Sequence, residues 1–236
     1  MAVALPLRHE LKFYINQMEY HLLSRALDRV LYRDPNGDPE RNEYHIRSLY
    51  FDTYNNQALL DKINGVRDRD KYRLRIYNLS DQFIRMECKT KIGSLISKRS
   101  IAIPRALAEQ LIACDPTGLE RTRSGLLQDT FREMTLNLLR PVVLVDYVRE
   151  AYLYPVEDVR ITFDKQLRSG VASCDLFNPD VPTVPPIGDG RMILEVKYDQ
   201  MLPPMIRDLL NTYVHSAQSS AISKYCICRR FEELEY

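Results

Sequence analysis

Strands that carry charge on the face that should be buried constrain this chain more than any other feature. In Lys71-Tyr72-Arg73-Leu74-Arg75-Ile76-Tyr77, cations occupy positions 71, 73 and 75 and apolar residues mostly fill the positions between. Ile84-Arg85-Met86-Glu87-Cys88-Lys89-Thr90-Lys91 repeats the pattern. Strict alternation gives a strand one polar and one apolar face. The same inversion recurs in Arg8-x-Glu10-x-Lys12, Tyr147-x-Arg149, Arg160-x-Thr162-x-Asp164 and Glu195-x-Lys197. A lone Arg-x-Arg row is ordinarily solvated surface, or is tied up in cross-strand pairs such as Glu87 with Arg73. Recurrence along the chain argues instead for a shared charged interior.

Local signals set these strands in an α+β chain. Asn16 is placed to cap a helix over 17–32 with Leu22, Leu23, Ala26, Leu27, Val30 and Leu31 on one stripe. A strand over 44–51 and a short helix carrying Ala58, Leu59, Leu60 and Ile63 follow. Three strands, about 70–78, 82–91 and 95–103, form a meander with turns near Asn78 and at Gly93-Ser94. Helices are expected over 105–113 and 121–139, strands over 142–154, 158–168 and 191–199, a helix over 204–214 and a last short strand over 225–231. The Pro- and Asp-rich stretch from 178 to 190 reads as a loop, because the residues after it are too few for a core of their own. Residues 1–236 are therefore read as a single domain.

About eight antiparallel strands can close into a barrel, which removes exposed edges and creates an inside. Helices 17–32, 121–139 and 204–214 would cover the apolar outer face. The expected lumen then holds Arg8, Lys12, Arg73, Arg75, Lys89, Lys91, Arg149, Arg160, Lys197 and Lys224 against Glu10, Glu87, Asp164 and Glu195. Pairing accounts for four of the cations and leaves six without partners. Two like charges ~6 Å apart repel by roughly 2–3 kcal/mol at an effective dielectric near 20. A threaded polyanion would relieve that repulsion. Tyr77 and Tyr147 fall on the charged rows and can hydrogen-bond to it. Lys98 and Arg99 are adjacent, so only one of them can face inward on a regular strand.

The formal charge of +1 argues against a surface that grips nucleic acid or acidic lipid, so any basic site is local. Five cysteines without paired spacing read as reduced thiols, and His9, His21, His45 and His215 show no ligand spacing. No window approaches the ~18 apolar residues needed to cross a bilayer, and a soluble, cytoplasmic protein with no direct membrane insertion is expected. Glu195 is either a counter-charge for Lys197 or a ligand for Mn²⁺ or Mg²⁺, ions that accept carboxylate and phosphate oxygens together.

These residues resemble the polyphosphate polymerase domain of the vacuolar transporter chaperone family, a branch of the triphosphate tunnel metalloenzymes. The resemblance rests on Arg8-His9-Glu10-Leu11-Lys12-Phe13-Tyr14, Arg47-Ser48-Leu49-Tyr50-Phe51-Asp52, Arg73-Leu74-Arg75-Ile76-Tyr77, Glu87-Cys88-Lys89-Thr90, Arg149, Arg160, Ile193-Leu194-Glu195-Val196-Lys197 and Ser223-Lys224-Tyr225. It implies an antiparallel tunnel of about eight strands and transfer of the terminal phosphoryl group of ATP to inorganic polyphosphate, with Mn²⁺ or Mg²⁺ as cofactor. It further implies that Lys12, Arg73, Arg75, Lys89, Arg149, Arg160 and Lys224 form the catalytic set and that Glu195 binds the metal. Arg8, Glu10, Tyr77, Glu87, Lys91, Tyr147 and Lys197 would contact substrate. Arg8 stands where the wider superfamily's Glu-x-Glu-x-Lys has its first Glu, which favours the polymerase branch. A triphosphate hydrolase of the same fold and a non-catalytic polyanion-binding module are the alternatives.

Overall fold

The computed structural model describes residues 7–188, 190–218 and 222–234. One antiparallel sheet runs through it in the order β1-β9-β8-β7-β3-β4-β5-β6, with the two-residue β2 on β7. Its strands are β1 (His9–Ile15), β2 (Tyr32–Arg33), β3 (Glu43–Asp52), β4 (Arg69–Tyr77), β5 (Ser80–Ile92), β6 (Leu95–Ile103), β7 (Arg140–Tyr154), β8 (Val159–Ser169) and β9 (Met192–Tyr198). The helices are α1 (Gln17–Val30), α2 (Gln57–Ile63), α3 (Arg105–Ile112), α4 (Gly125–Leu136), α5 (Pro204–Tyr213) and α6 (Lys224–Leu234).

Local chemistry starts and stops these elements as read. At α1, Asn16 Oδ1 accepts from the Glu19 amide and Glu19 Oε2 accepts from the Asn16 amide, both at 2.9 Å, a reciprocal capping box. The β4–β5 hairpin turns through Asn78 and Leu79, both at positive φ, the geometry whose twist matches the flanking strands. Gly93, at φ +58°, turns β5 into β6.

The apolar face of each alternating strand is covered from outside. Tyr72, Leu74 and Ile76 of β4 and Ile84, Met86 and Cys88 of β5 pack with Ala108 and Leu111 of α3 and Leu126, Leu127 and Met134 of α4. Phe163 of β8 and Leu194 and Val196 of β9 pack with Leu23 and Leu27 of α1 and Ile206 and Leu210 of α5. Burial of these rows turns the charged rows to the concave side. A third apolar cluster lies within the concavity, where Tyr50, Val143, Val145 and Tyr147 of β3 and β7 meet Tyr225, Cys226 and Cys228 of α6.

Three expectations are corrected. Hydrogen bonds do not close the sheet along its length: edge strands β1 and β6 meet at one bridge, in which Arg8 and Ile96 exchange backbone bonds of 3.0 and 3.1 Å. Residues 225–231 form helix α6 and not a strand. The apolar run Tyr225-Cys226-Ile227-Cys228 fits either period, and burial at Tyr225, Cys228 and Glu232 follows the helical one. The helix expected over 121–139 is a 3₁₀ turn, Leu119–Arg121, followed by α4, whose start is set by Ser124 accepting from the Leu127 amide.

Leu194 is fully buried beneath α1 and α5, next to the inward-facing Glu195. Leu194→Ala should lower the free energy of unfolding by about 2–5 kcal/mol in urea titrations. A loss below about 1 kcal/mol would show that the helices do not seal this face.

Candidate functional site

Inward rows of β1, β4, β5, β6, β7, β8 and β9, together with the start of α6, bring the charged residues into three adjoining clusters. The first surrounds Glu87, which is fully buried. Strand register sets Arg73 opposite it, and Arg73 donates from Nε at 2.8 Å and Nη2 at 2.7 Å to Glu87 Oε2. Lys98 lies 3.0 Å from the other carboxylate oxygen, Oε1, and Arg75 Nη1 lies 3.6 Å from Oε2. Arg73 also donates to the Tyr50 hydroxyl at 2.9 Å, and Arg75 to Ser48 Oγ at 3.1 Å and the Tyr147 hydroxyl at 3.2 Å.

Glu10 and Glu195 make the second cluster. In the β1–β9 ladder Glu10 faces Lys197 and Lys12 faces Glu195, so the charges alternate in a square. Lys12 lies 3.0 Å from Glu10 and 3.6 Å from Glu195, and Lys197 lies 2.6 Å from Glu195 and 3.7 Å from Glu10. Lys89 reaches across from β5 to Glu10 at 2.8 Å. The third cluster centres on Asp164, which accepts from Arg149 Nε at 2.6 Å and Nη2 at 2.8 Å and pairs with Lys224 at the start of α6. Tyr147 joins the clusters: it accepts from Arg75, and both Lys224 and Arg149 stand over its ring, at 4.9 and 5.4 Å.

The expectation of six unpaired cations is corrected. Lys12, Arg73, Arg75, Lys89, Arg149, Lys197 and Lys224 all pair, but they share carboxylates: Glu10, Glu87, Glu195 and Asp164 also serve Lys98, so eight cations surround four anions. Positive charge remains in excess even though pairing is extensive. Burial by itself raises each carboxyl pKa, and the neighbouring cations overcome it. Glu10 falls to about 2 under Lys89, Lys12 and Lys197, Asp164 to about 2 under Arg149 and Lys224, and Glu87 and Glu195 well below the usual carboxylate range. Burial also pulls the Lys89 ammonium down to about 7, against Glu10, with Lys12 and Lys197 adding to the fall.

Three of the expected residues lie elsewhere. Arg8 turns its guanidinium to Asp158 and Asp199 at the rim, where its backbone also bridges to β6. Arg160 engages Asp34 and donates to the Tyr44 hydroxyl at 2.9 Å. Lys91 lies half-buried near the end of β5, outside the three clusters. Tyr77 stands at the end of the β4 row, its ring 6.2 Å from that of Tyr44.

The expected site omitted Lys71, Tyr50 and Asp34 and left the Lys98/Arg99 row unassigned. Lys71 shares the inward row of Arg73 and Arg75; its ammonium contacts Ser223 Oγ at 3.1 Å and Cys226 Sγ at 3.7 Å and stands 4.9 Å from the centre of the Tyr225 ring. The ambiguous pair resolves as Lys98 inward to Glu87 and Arg99 outward to Asp129 of α4. Asp34 sits in a loop that carries no periodic signal. All five cysteines are free, and the described residues hold no group of three or more His, Cys, Asp or Glu arranged to bind a metal. No described helix is long and apolar enough to cross a membrane.

The same fold occurs in several solved structures. A putative adenylyl cyclase from Hippeastrum, described as having a dominant triphosphatase activity, superposes with a TM-score of 0.54 at 14% identity, over 94% of this chain and 95% of that one. A putative adenylate cyclase from Bacillus halodurans gives 0.52 at 13%, over 92% and 96%, and one from Vibrio parahaemolyticus gives 0.50 at 11%, over 94% and 98%. At these identities the likeness is one of fold. Comparison with curated protein sequences gives no match. The chain belongs to the VTC-domain family, whose model matches residues 7–231.

Glu87→Gln should destabilise the protein by about 3–5 kcal/mol in urea unfolding, because it leaves the little-exposed guanidiniums of Arg73 and Arg75, beside the more exposed Lys98, around a neutral group. A change below about 1 kcal/mol would mean that water already screens the cluster. Lys71 supplies a pH test. Burial, aided by Arg69 and Lys12, lowers it from 10.5 to about 8, against the influence of Cys226. Between those values the unfolded chain holds the proton and the folded chain does not, so the Lys71 contribution to stability rises with pH. From pH 8 to 9.5 wild type should gain stability relative to Lys71→Met by up to about 1.4 kcal/mol per pH unit. A difference that stays flat over that range would contradict the burial of this ammonium.

Proposed function

We propose that the protein is a metal-dependent polyphosphate polymerase that transfers the terminal phosphoryl group of ATP to inorganic polyphosphate and releases ADP. The observation that carries this reading is the sharing of four buried carboxylates among eight inward cations within a VTC-domain fold. Such an interior has a standing excess of positive charge, and linked phosphates have the charge density to neutralise it.

Phosphoryl transfer asks a protein mainly for positioning and charge neutralisation. A guanidinium has five donors in a planar fork. Asp164 takes Nε and Nη2 of Arg149, and Glu87 takes Nε and Nη2 of Arg73, so each carboxylate fixes one edge and turns the remaining donors away from itself. Those remaining donors, with Arg75, would grip phosphate oxygens, and the preset orientation removes part of the ordering cost. Lys12, Lys89 and Lys224 would neutralise charge on the transferred and leaving groups. Lys197 would keep Glu195 in place. Tyr147, already bonded to Arg75, would hold that side chain against the phosphates.

Glu10 and Glu195 offer hard oxygen donors at diagonal corners of the Lys12–Lys197 square, which fits Mn²⁺ or Mg²⁺ when phosphate oxygens and water complete the shell. Bound there, the ion would neutralise phosphate charge and orient the triphosphate. The acceptor would be the end of a polyphosphate chain, or orthophosphate at initiation, lying in line with the bond that breaks.

Purified protein given ATP and Mn²⁺ should produce ADP and a polymer resolvable on a gel. Phosphate and ADP without polymer would instead assign the site to a triphosphate hydrolase, and binding without turnover to a polyanion-binding module. Arg75→Ala and Lys224→Ala should each lower kcat by about 10²–10³-fold. Unchanged turnover in either variant would remove the interior from the reaction.

A further inference from the structure

The two ends of the inward rows differ in chemistry. At one end, β4 and β5 carry Arg69, Lys71 and Lys91, and Lys71 is closed over by Cys226 of α6 and by Ser223 just before that helix. At the other end, the same strands finish in rings. Tyr77 follows Arg75 on the β4 row, Phe83 precedes Arg85 on the β5 row, and Tyr44 heads the β3 row that continues with Ile46, Ser48 and Tyr50. The Tyr77 ring lies 6.2 Å from Tyr44 and 6.3 Å from Phe83, and the Arg85 guanidinium stands 4.6 Å from the centre of the Phe83 ring. Arg160, which donates to the Tyr44 hydroxyl, is at the same end.

Phe83 is 46% exposed, although the β5 apolar residues Ile84 and Met86 are buried. A single exposed ring means little by itself. This one is backed by an arginine on one side and a tyrosine on the other, at the end of the row that carries the phosphate-gripping candidates. Two residues along a strand span ~7 Å, which separates Tyr77 from Arg75 by about the length of a ribose. A nucleotide is aromatic at one end and polyanionic at the other, and these rows have the same polarity.

We infer that Tyr77 and Phe83 form a stacking platform for the nucleobase of a nucleoside triphosphate, so that the nucleotide enters base-outward at this end with its phosphates directed toward Arg75, Arg73 and Lys71. The inference rests on the reading of the interior as a triphosphate site and adds to it the orientation of the nucleotide and the residues that distinguish it from inorganic phosphate chains. Stacking on an aromatic side chain contributes about 1–3 kcal/mol per base and tolerates any base, so the platform favours nucleotides over inorganic tripolyphosphate with little choice among bases.

The test compares binding of ATP and of inorganic tripolyphosphate by calorimetry on the full chain, with the same divalent ion present. Phe83→Ala should lower the ratio of ATP to tripolyphosphate affinity by about tenfold or more, and Phe83→Tyr should restore it. Phe83 packs at an exposed position, and unfolding midpoints verify that the variants are folded. An unchanged ratio in Phe83→Ala, with tight tripolyphosphate binding, would overturn the platform and leave the phosphate site intact. Wild type that binds neither ligand would overturn both.

Discussion

Sharing of too few buried carboxylates among too many inward cations is the constraint on which the rest of this structure depends. Ion pairs in a protein interior seldom repay their desolvation, and breaking one leaves a charge that costs several kcal/mol. Here Glu10, Glu87, Glu195 and Asp164 each hold at least two cations, so none of those cations has a carboxylate to itself. The arrangement persists because the outward faces of the same strands bury Leu74, Met86, Leu194 and Val196 under two pairs of helices. Hydrophobic burial outside thus offsets electrostatic cost inside.

Function follows from the same economy. Carboxylates that fix arginine edges before a ligand arrives remove reorganisation from the binding step, and a surplus of positive charge supplies the attraction. The wall of Tyr50, Val143, Val145 and Tyr147 seats α6, which delivers Lys224 to Asp164, while its two tyrosine hydroxyls accept from Arg73 and Arg75. A helix that caps the concavity at one end also makes its two ends unequal. The aromatic residues at the opposite end give that inequality a chemical meaning.

Much of this was legible in the residues because the side-chain period of a strand is two. Alternation on two neighbouring strands already suggests pairing Arg73 with Glu87, and the β4–β5 register sets them opposite each other. Lys98 and Arg99 could not be ordered from sequence, since adjacent residues face opposite ways and either assignment satisfies the pattern; packing of α4 against β6 decides it through Asp129. Residues 225–231 give no decisive local signal, because four apolar residues in a row satisfy both the strand and the helix period. Arg8 lies on a charged row, but the chain ends its pairing with β9 there, and acidic residues at Asp158 and Asp199 draw it to the rim. Asp34 illustrates a harder limit, because a loop residue that meets Arg160 across 126 positions has no local signature.

The central claim is that this interior holds linked phosphates, and the most direct measurement of it is a crystal structure with inorganic tripolyphosphate and Mn²⁺. The account predicts phosphate oxygens within hydrogen-bond distance of Arg73, Arg75 and Arg149, with the metal on Glu195. Tripolyphosphate found only on outer-surface lysines, with Glu87 and Asp164 still enclosing all of their cations, would contradict it.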